Sequence, residues 1–413
     1  MQPILTNDAV ILGILIFMLA FIFKTSKSSH PFWKKFYTFV PALLLCYFLP
    51  SFLNTSGLVA PEQSKLYFVA SRYLLPASIV LLTLSTDFQK VLHLGPKALI
   101  MFLTATVGIV VGGPIAIFII SILSPEIVGG AGPDAVWRGL TTIAGSWIGG
   151  GANQTAMKEV FEVGDTIFSA LLPIDVIVAN FWMAFLLYGA GIAPRIDKWL
   201  RSDTSAIDEV REKVEAYRSK IAKIPTLADL TSVLAVGFGV TALAHFGADL
   251  IAPWIEAHAS YLKTYSLTSK FFWIIVIATT GGLVLSFTRL HELEGVGASR
   301  IGSFFLYVLV ATIGLKMNIL AILETPGLIF VAAIWMLVHV TLLIFVAKLI
   351  RAPFFFLAVG SQANIGGAAS APIVASAFHP ALAPVGVLLA VLGYALGTYG
   401  AWVCGILMSM VAP

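Results

Sequence analysis

Apolar residues run along this chain in long blocks, with polar residues gathered between them. A helix needs about 20 mostly apolar residues to cross the roughly 30 Å bilayer core. Five such blocks lie in the first half, at 8–23, 36–52, 66–86, 98–123 and 166–191. Five more follow, at 228–247, 271–288, 301–323, 326–350 and 380–411. Two further stretches, 138–162 and 352–378, are apolar but interrupted by glycines and amides. The pattern predicts an all-α polytopic membrane protein with ten spans and two broken segments. The first block reads as a retained span, because its basic residues follow it and none precedes it.

Basic residues set the orientation of such a chain. Lys24, Lys27, Lys34 and Lys35 follow the first block, which puts that loop in the cytoplasm and the N-terminus outside. The polar stretch 193–225 carries Arg195, Lys198, Arg201, Arg211, Lys213, Arg218, Lys220 and Lys223. It falls inside only if segment 138–162 enters the membrane and returns on the same side. With both broken segments re-entrant, 18 of the 25 lysines and arginines lie in the cytoplasm, and this arrangement is favoured. Crossing helices are the alternative. Within 193–225, Ile207, Val210, Val214, Tyr217 and Ile221 recur every three or four residues, the period of a short amphipathic helix.

Composition agrees. The chain has 413 residues, 59% of them hydrophobic and 11% charged, against about 45–50% and 25% in soluble domains. That excludes a soluble enzyme, a disordered chain and a coiled coil. The net charge of +4 leaves no basic footprint for nucleic acid. Cys46 and Cys404 sit in apolar runs, far from any metal or disulfide spacing.

The chain also contains itself twice. Gly145-Ser146 matches Gly360-Ser361, and Gly150-Gly151-Ala152 matches Gly366-Gly367-Ala368. Pro173 with Tyr188-Gly189-Ala190 matches Pro384 with Tyr399-Gly400-Ala401, and Pro96 matches Pro326. The charge count gives the halves opposite orientations. The expected organisation is an N-terminal repeat at 1–192, a cytoplasmic linker at 193–225 and a C-terminal repeat at 226–413. Each repeat would hold five transmembrane helices and one glycine-broken segment. Inverted repeats of this kind are the architecture of secondary transporters.

Irregular backbone at membrane depth survives only where protein or a water-filled cavity covers it. A helix that stops there leaves free carbonyls, and one that starts there leaves free N–H groups. Gly149, Gly150, Gly151, Gly366 and Gly367 mark the breaks, beside Ser146, Asn153, Gln154 and Thr155 in one segment and Ser361, Gln362, Asn364 and Ser370 in the other. These neutral oxygens and amides suit sodium and a small anionic or zwitterionic solute. Gly145 with Gly149, and Gly393 with Gly397, also have the spacing of close helix packing. Two charges fall at depth, Asp175 and Lys316. An ionisable group there is a functional hypothesis by default. Asp175 is a candidate cation ligand or proton carrier. Lys316 is a candidate anion holder, with snorkelling to the interface as the competing reading.

Catalytic signatures are missing. His291-Glu292-Leu293-Glu294 lacks the second histidine of a zinc-protease motif, and no phosphate-binding loop is present. The expectation is therefore no enzyme and no cofactor beyond Na+ or H+ as coupling ion.

The run from Ser146 through Gly149-Gly150-Gly151-Ala152-Asn153-Gln154-Thr155 to Lys158-Glu159, followed by Gly360-Ser361-Gln362-Ala363-Asn364-Ile365-Gly366-Gly367-Ala368, resembles the bacterial YjcL-like family of unknown function. Five helices per half with a glycine-rich re-entrant segment also look, more remotely, like the sodium–glutamate and sodium–citrate symporters. That resemblance implies a homodimeric, sodium-coupled carrier whose core bundle moves against a panel. It carries over no substrate. The leading reading is a secondary transporter of the inner membrane, with substrate at Ser146, Gly150, Gly151, Asn153, Gln154, Ser361, Gly366, Gly367, Ser370 and Lys316. The cation would sit at Asn153, Thr155, Asp175, Gln362 and Asn364. A sodium–proton antiporter using Asp175 is the runner-up, and a channel or ligand sensor is the reading from another class.

Overall fold

The structure is a computed structural model, and it describes residues 4–40, 42–85, 94–203, 207, 225–265, 267–316, 327–379 and 382–413. Its helices are α1 (Asp8–Ser26), α2 (Pro31–Phe39), α3 (Ala42–Thr55), α4 (Leu66–Leu84), α5 (Pro96–Leu123), α6 (Val136–Val160), α7 (Asp165–Gly191) and α8 (Ala193–Leu200). The second half adds α9 (Leu227–His258), α10 (Lys270–Ser286), α11 (Ala298–Gly314), α12 (Leu328–Leu349), α13 (Phe354–Ile365), α14 (Gly367–Phe378) and α15 (Ala383–Val411). Pairing among strands is confined, in the described residues, to one bridge between Leu5 and Val59.

Local chemistry explains where the helices begin. Asn7 caps α1 by accepting from the Ala9 N–H, and Thr226 with Asp229 forms a capping box on α9. Proline opens α2 and α5, where a missing N–H costs nothing. Among the described residues seven helices, α1, α4, α5, α7, α9, α12 and α15, are long and apolar enough to cross a membrane. Their outer faces carry large exposed apolar side chains such as Phe181, Phe246, Leu337 and Phe345, as a lipid solvent requires.

All ten apolar blocks carry helix, with two revisions to their expected extents. Block 36–52 is divided: α2 ends at Val40, which is extended (φ −118°, ψ 100°). The residue before a proline is pushed out of the helical region, and Pro41 follows. The span expected at 228–247 continues to His258. The linker starts as helix α8. Its Leu200 is buried, and the Asp197 carboxylate accepts from the Phe354 N–H at 2.8 Å, capping α13 from a distance. Of the amphipathic helix expected through Ile221, only Ile207 lies within the described residues, and Asp87, Lys90 and Pro326 lie outside them.

The helices pack in two groups. One contains α1, α3, α4, α9, α10 and α11 and forms a panel. The other contains α5, α6, α7, α12, α13, α14 and α15 and forms a core. Each group therefore takes elements from both halves of the chain. Within the core, α5 and α12 lie close because a Cβ at Gly112 would strike the Trp335 indole. That indole donates to the Ile109 carbonyl at 2.8 Å. Contact between panel and core runs mainly through α4 and α10 against α6 and α15.

Candidate functional site

The first broken segment is a hairpin. Gly150 in α6 has φ 73° and ψ −169°, a backbone region that essentially only glycine occupies. The chain reverses there. A Cβ on Gly145 would meet the backbone of Asn153 and Gln154, and Arg138 donates to the Phe161 carbonyl. In a straight helix these pairs would stand about 12 Å and 34 Å apart. The Trp137 and Phe161 rings, 6.0 Å between centroids, close the base.

The second segment does the same in two helices. Gly366 ends α13 and Gly367, at φ 57°, begins α14. Gln362 donates through Nε2 to Ser370 Oγ at 2.7 Å across the turn. At the base, Phe378 packs on Phe354 and Phe355, with centroids 5.9 and 5.3 Å apart. Both broken segments thus reverse direction at a glycine, a geometry compatible with the re-entrant arrangement that the charge count favours.

The tips converge on α15. A Cβ at Gly393 would meet the carbonyl of Ile148 from the first hairpin and approach that of Ala363 from the second. One turn on, Gly397 lies against Gly149. Gly145, Gly149, Gly393 and Gly397 therefore do serve close packing, whereas a Cβ at Gly150 or Gly151 would make only an ordinary contact and, among the described residues, one at Gly367 would meet nothing within 4 Å. Nothing lies nearer to a Cβ at those three than Tyr394 at 3.8 Å and Leu306 at 3.6 Å.

Two asparagines lock the hairpins into the core by the same device. Asn153 Nδ2 donates to the Gly149 and Tyr394 carbonyls, each at 3.1 Å, and its Oδ1 accepts from Thr398 at 2.7 Å. Asn364 Nδ2 donates to the Gly360 and Phe102 carbonyls at 3.0 and 3.2 Å, and its Oδ1 accepts from Thr106 at 2.8 Å. In each case the amide bonds the carbonyl four residues back, then a carbonyl and a threonine one turn apart on a neighbouring helix, α15 or α5.

Asp175, on α7, lies behind the first tip and is 4% exposed. Trp147 Nε1 donates to one oxygen at 2.6 Å and Gln154 Nε2 to the other at 2.8 Å. The Ser146 hydroxyl bonds the same carboxylate, and Tyr47 from α3 donates to Gln154 Oε1 at 3.4 Å. Asp175 is thus held by donors from both arms of the hairpin, and among the described residues it has no ion pair. Thr155 instead bonds back to the Gly151 and Ala152 carbonyls of its own arm.

At the second tip, Ser361 accepts from Trp182 Nε1 at 2.8 Å and donates to His339 Nε2 at 2.8 Å. The other ring nitrogen of His339 faces the Ala105 carbonyl, which only accepts, so Nδ1 carries the proton. Gln362 is 2% exposed and, among the described residues, its Oε1 has no partner. A buried amide oxygen left bare carries a desolvation cost of about 1–3 kcal/mol unless a ligand meets it.

Lys316 is not at the breaks. It stands at the base of the first hairpin with its ammonium 4.2 Å from the Tyr67 ring centroid. The expectation that Asp175 and Lys316 are the only deep charges is revised here. Glu159 accepts from Arg72 Nη1 at 2.7 Å, and Lys158, 6% exposed, pairs with Asp165 at 2.7 Å. Arg72 inside an apolar block was the available signal, because a charge at that position is costly. Tyr47, Thr106 and Thr398 carried none, since a hydroxyl in an apolar helix is common.

A chain with this many long apolar helices, wrapped around two buried helical hairpins, is a polytopic all-α membrane protein. It belongs to the family described as Protein of unknown function (DUF819), whose pattern matches residues 13–411. It is 24% identical over 353 residues to the Uncharacterized membrane protein YjcL of Bacillus subtilis (strain 168), with 83% of each chain covered. The YjcL-like resemblance seen in the glycine-rich motif therefore extends across most of the chain.

Proposed function

We propose that the protein is a secondary active transporter of the inner membrane that couples the movement of a small organic anion or amino acid to sodium. The observation that carries this reading is the convergence of two glycine-tipped hairpins, one from each half of the chain, on Gly393 of α15. Their polar groups are neutral and buried. Such an arrangement presents carbonyls to a cation and N–H groups to an anion without burying an unpaired charge. The core would move against the panel, and the two halves of the chain would be related by an inverted repeat with α1–α7 answering α9–α15. Substrate would sit between the tips, with Gln362 Oε1, Ser370 and the Gly366-Gly367 turn on one side and Gly150-Gly151 on the other. A homodimer is part of this proposal through the remote symporter resemblance alone.

The test is uptake into proteoliposomes under an imposed sodium gradient, after a thermal-shift screen for solutes whose stabilisation needs sodium. Transport that ignores sodium sinks the coupling assignment. Single-channel currents in a planar bilayer would replace the carrier with a channel.

A second reading, sodium–proton exchange, is favoured by one observation: Asp175 is buried with neutral donors and no cation among the described residues. Here Asp175 alternates between a proton and sodium. Asp175→Asn would then abolish sodium-driven acidification in vesicles, and no organic solute would stabilise the protein.

A further inference from the structure

Away from the tips, four side chains meet where panel and core touch. The returning arm of α6 ends in Lys158 and Glu159, and Lys158 is already neutralised by Asp165. Glu159 is not satisfied by its own bundle. One oxygen accepts from Arg72 Nη1 at 2.7 Å, the other accepts from the Tyr67 hydroxyl, and the Lys316 ammonium lies over that same tyrosine ring. Arg72 and Tyr67 belong to α4, and Lys316 follows α11, so every partner comes from the panel.

The panel holds these partners in place without help from Glu159. The Arg72 guanidinium lies 4.3 Å from the Phe271 ring centroid, the geometry of a cation over an aromatic face. Residues Ala70–Leu74 form a π turn, a feature frequent at functional positions. Within that turn the Arg72 carbonyl meets His245 Nε2 at 2.8 Å. The side chain is thus fixed from beneath and its backbone from behind. The panel thus contributes two cations and one phenol, and the core contributes the Glu159 carboxylate beside the Lys158–Asp165 pair, whose ammonium also lies 5.7 Å from the Tyr67 ring centroid.

We infer that Arg72, Tyr67 and Lys316 form a carboxylate-binding site, which Glu159 fills in this conformation as an internal ligand. The inference rests on the transporter reading and adds to it a second site, at the base of the first hairpin rather than between the tips, whose ligand is a carboxylate. Movement of the core would withdraw Glu159 and leave two cations at a partly buried interface with no anion. Breaking a buried pair by removing one partner is strongly unfavourable. A carboxylate from solution would restore the balance, so binding and movement would be linked. An arginine, with its fork of N–H donors, suits a carboxylate better than a spherical anion.

The test is chemical rescue on the purified full-length protein in detergent, with acetate as the probe. Glu159→Ala removes the atoms of one acetate. The variant should unfold at a lower temperature than the wild type, and acetate should raise that temperature by at least about 2 °C through binding to the folded state. Chloride at the same concentration should not. In Glu159→Ala combined with Arg72→Gln the acetate effect should vanish. If acetate does no more than chloride, or acts equally without Arg72, the site does not exist. Glu159→Asn, shorter and neutral, repeats the measurement should the alanine variant fail to fold. No gradient enters this assay, so its failure is separable from a failure to transport.

Discussion

Three consecutive glycines at the first hairpin tip should respond to alanine in three different ways. At Gly150 a Cβ has room, with Tyr394 no nearer than 3.8 Å, so the whole cost is backbone. Its φ of 73° with ψ −169° belongs to glycine alone, and forcing alanine there costs about 1–3 kcal/mol. Gly151 has no positive φ and its nearest neighbour is Leu306 at 3.6 Å. Alanine there should be neutral, or stabilising by about 0.4–1 kcal/mol through the unfolded chain. At Gly149 the Cβ would overlap Asn153 Nδ2 and press on the Gly393 carbonyl, which breaks one asparagine clamp. That substitution should be the worst of the three. For a chain of this length each kcal/mol moves the unfolding temperature by about 1–2 °C. Thermal unfolding followed by size-exclusion chromatography in detergent therefore separates the three variants. Equal midpoints for Gly150→Ala and Gly151→Ala would refute the hairpin turn, because a continuous helix treats adjacent glycines alike.

Other expectations are more compact. Asn153→Ala and Asn364→Ala each remove two hydrogen bonds to carbonyls and one from a threonine hydroxyl, so each should cost about 2–4 kcal/mol in thermal or denaturant unfolding. Similar losses from the two would support the common device, whereas a negligible loss from either would contradict it. Asp175→Asn offers an amide N–H to a pocket already full of donors. It should therefore destabilise the protein by about 1–2 kcal/mol and remove any stabilisation by sodium. A variant that still responds to sodium in a thermal-shift assay places the ion elsewhere. Gly314→Ala would drive a methyl into the Tyr47 carbonyl where α11 crosses α3, so expression of folded protein should fall sharply. Normal yield and stability would show that this crossing is looser than described.

Much of this protein could be read along the chain because lipid imposes a local rule. A helix facing hydrocarbon must be apolar over its whole length, so each span announces itself without reference to its neighbours. The same rule made the breaks visible, since Gly149–Gly151 and Gly366-Gly367 with their amides have no place in an ordinary span. It also singled out Asp175. The choice between crossing and returning came from the balance of lysines and arginines, and the meeting of Arg138 with Phe161 and of Phe354 with Phe378 agrees with it.

What the sequence could not supply was partnership. Asn153 reads as a free ligand until Tyr394 and Thr398 arrive from a helix about 240 residues away. Lys316 reads as a lone deep charge until α4 brings Tyr67 and α6 brings Glu159 to it. Burial, pairing and the division into panel and core depend on which helix faces which. Helices that are apolar on every side carry almost no record of their orientation. Only the tertiary structure decides, through shape and a few hydrogen bonds, which polar groups are spent on the fold and which remain for a ligand.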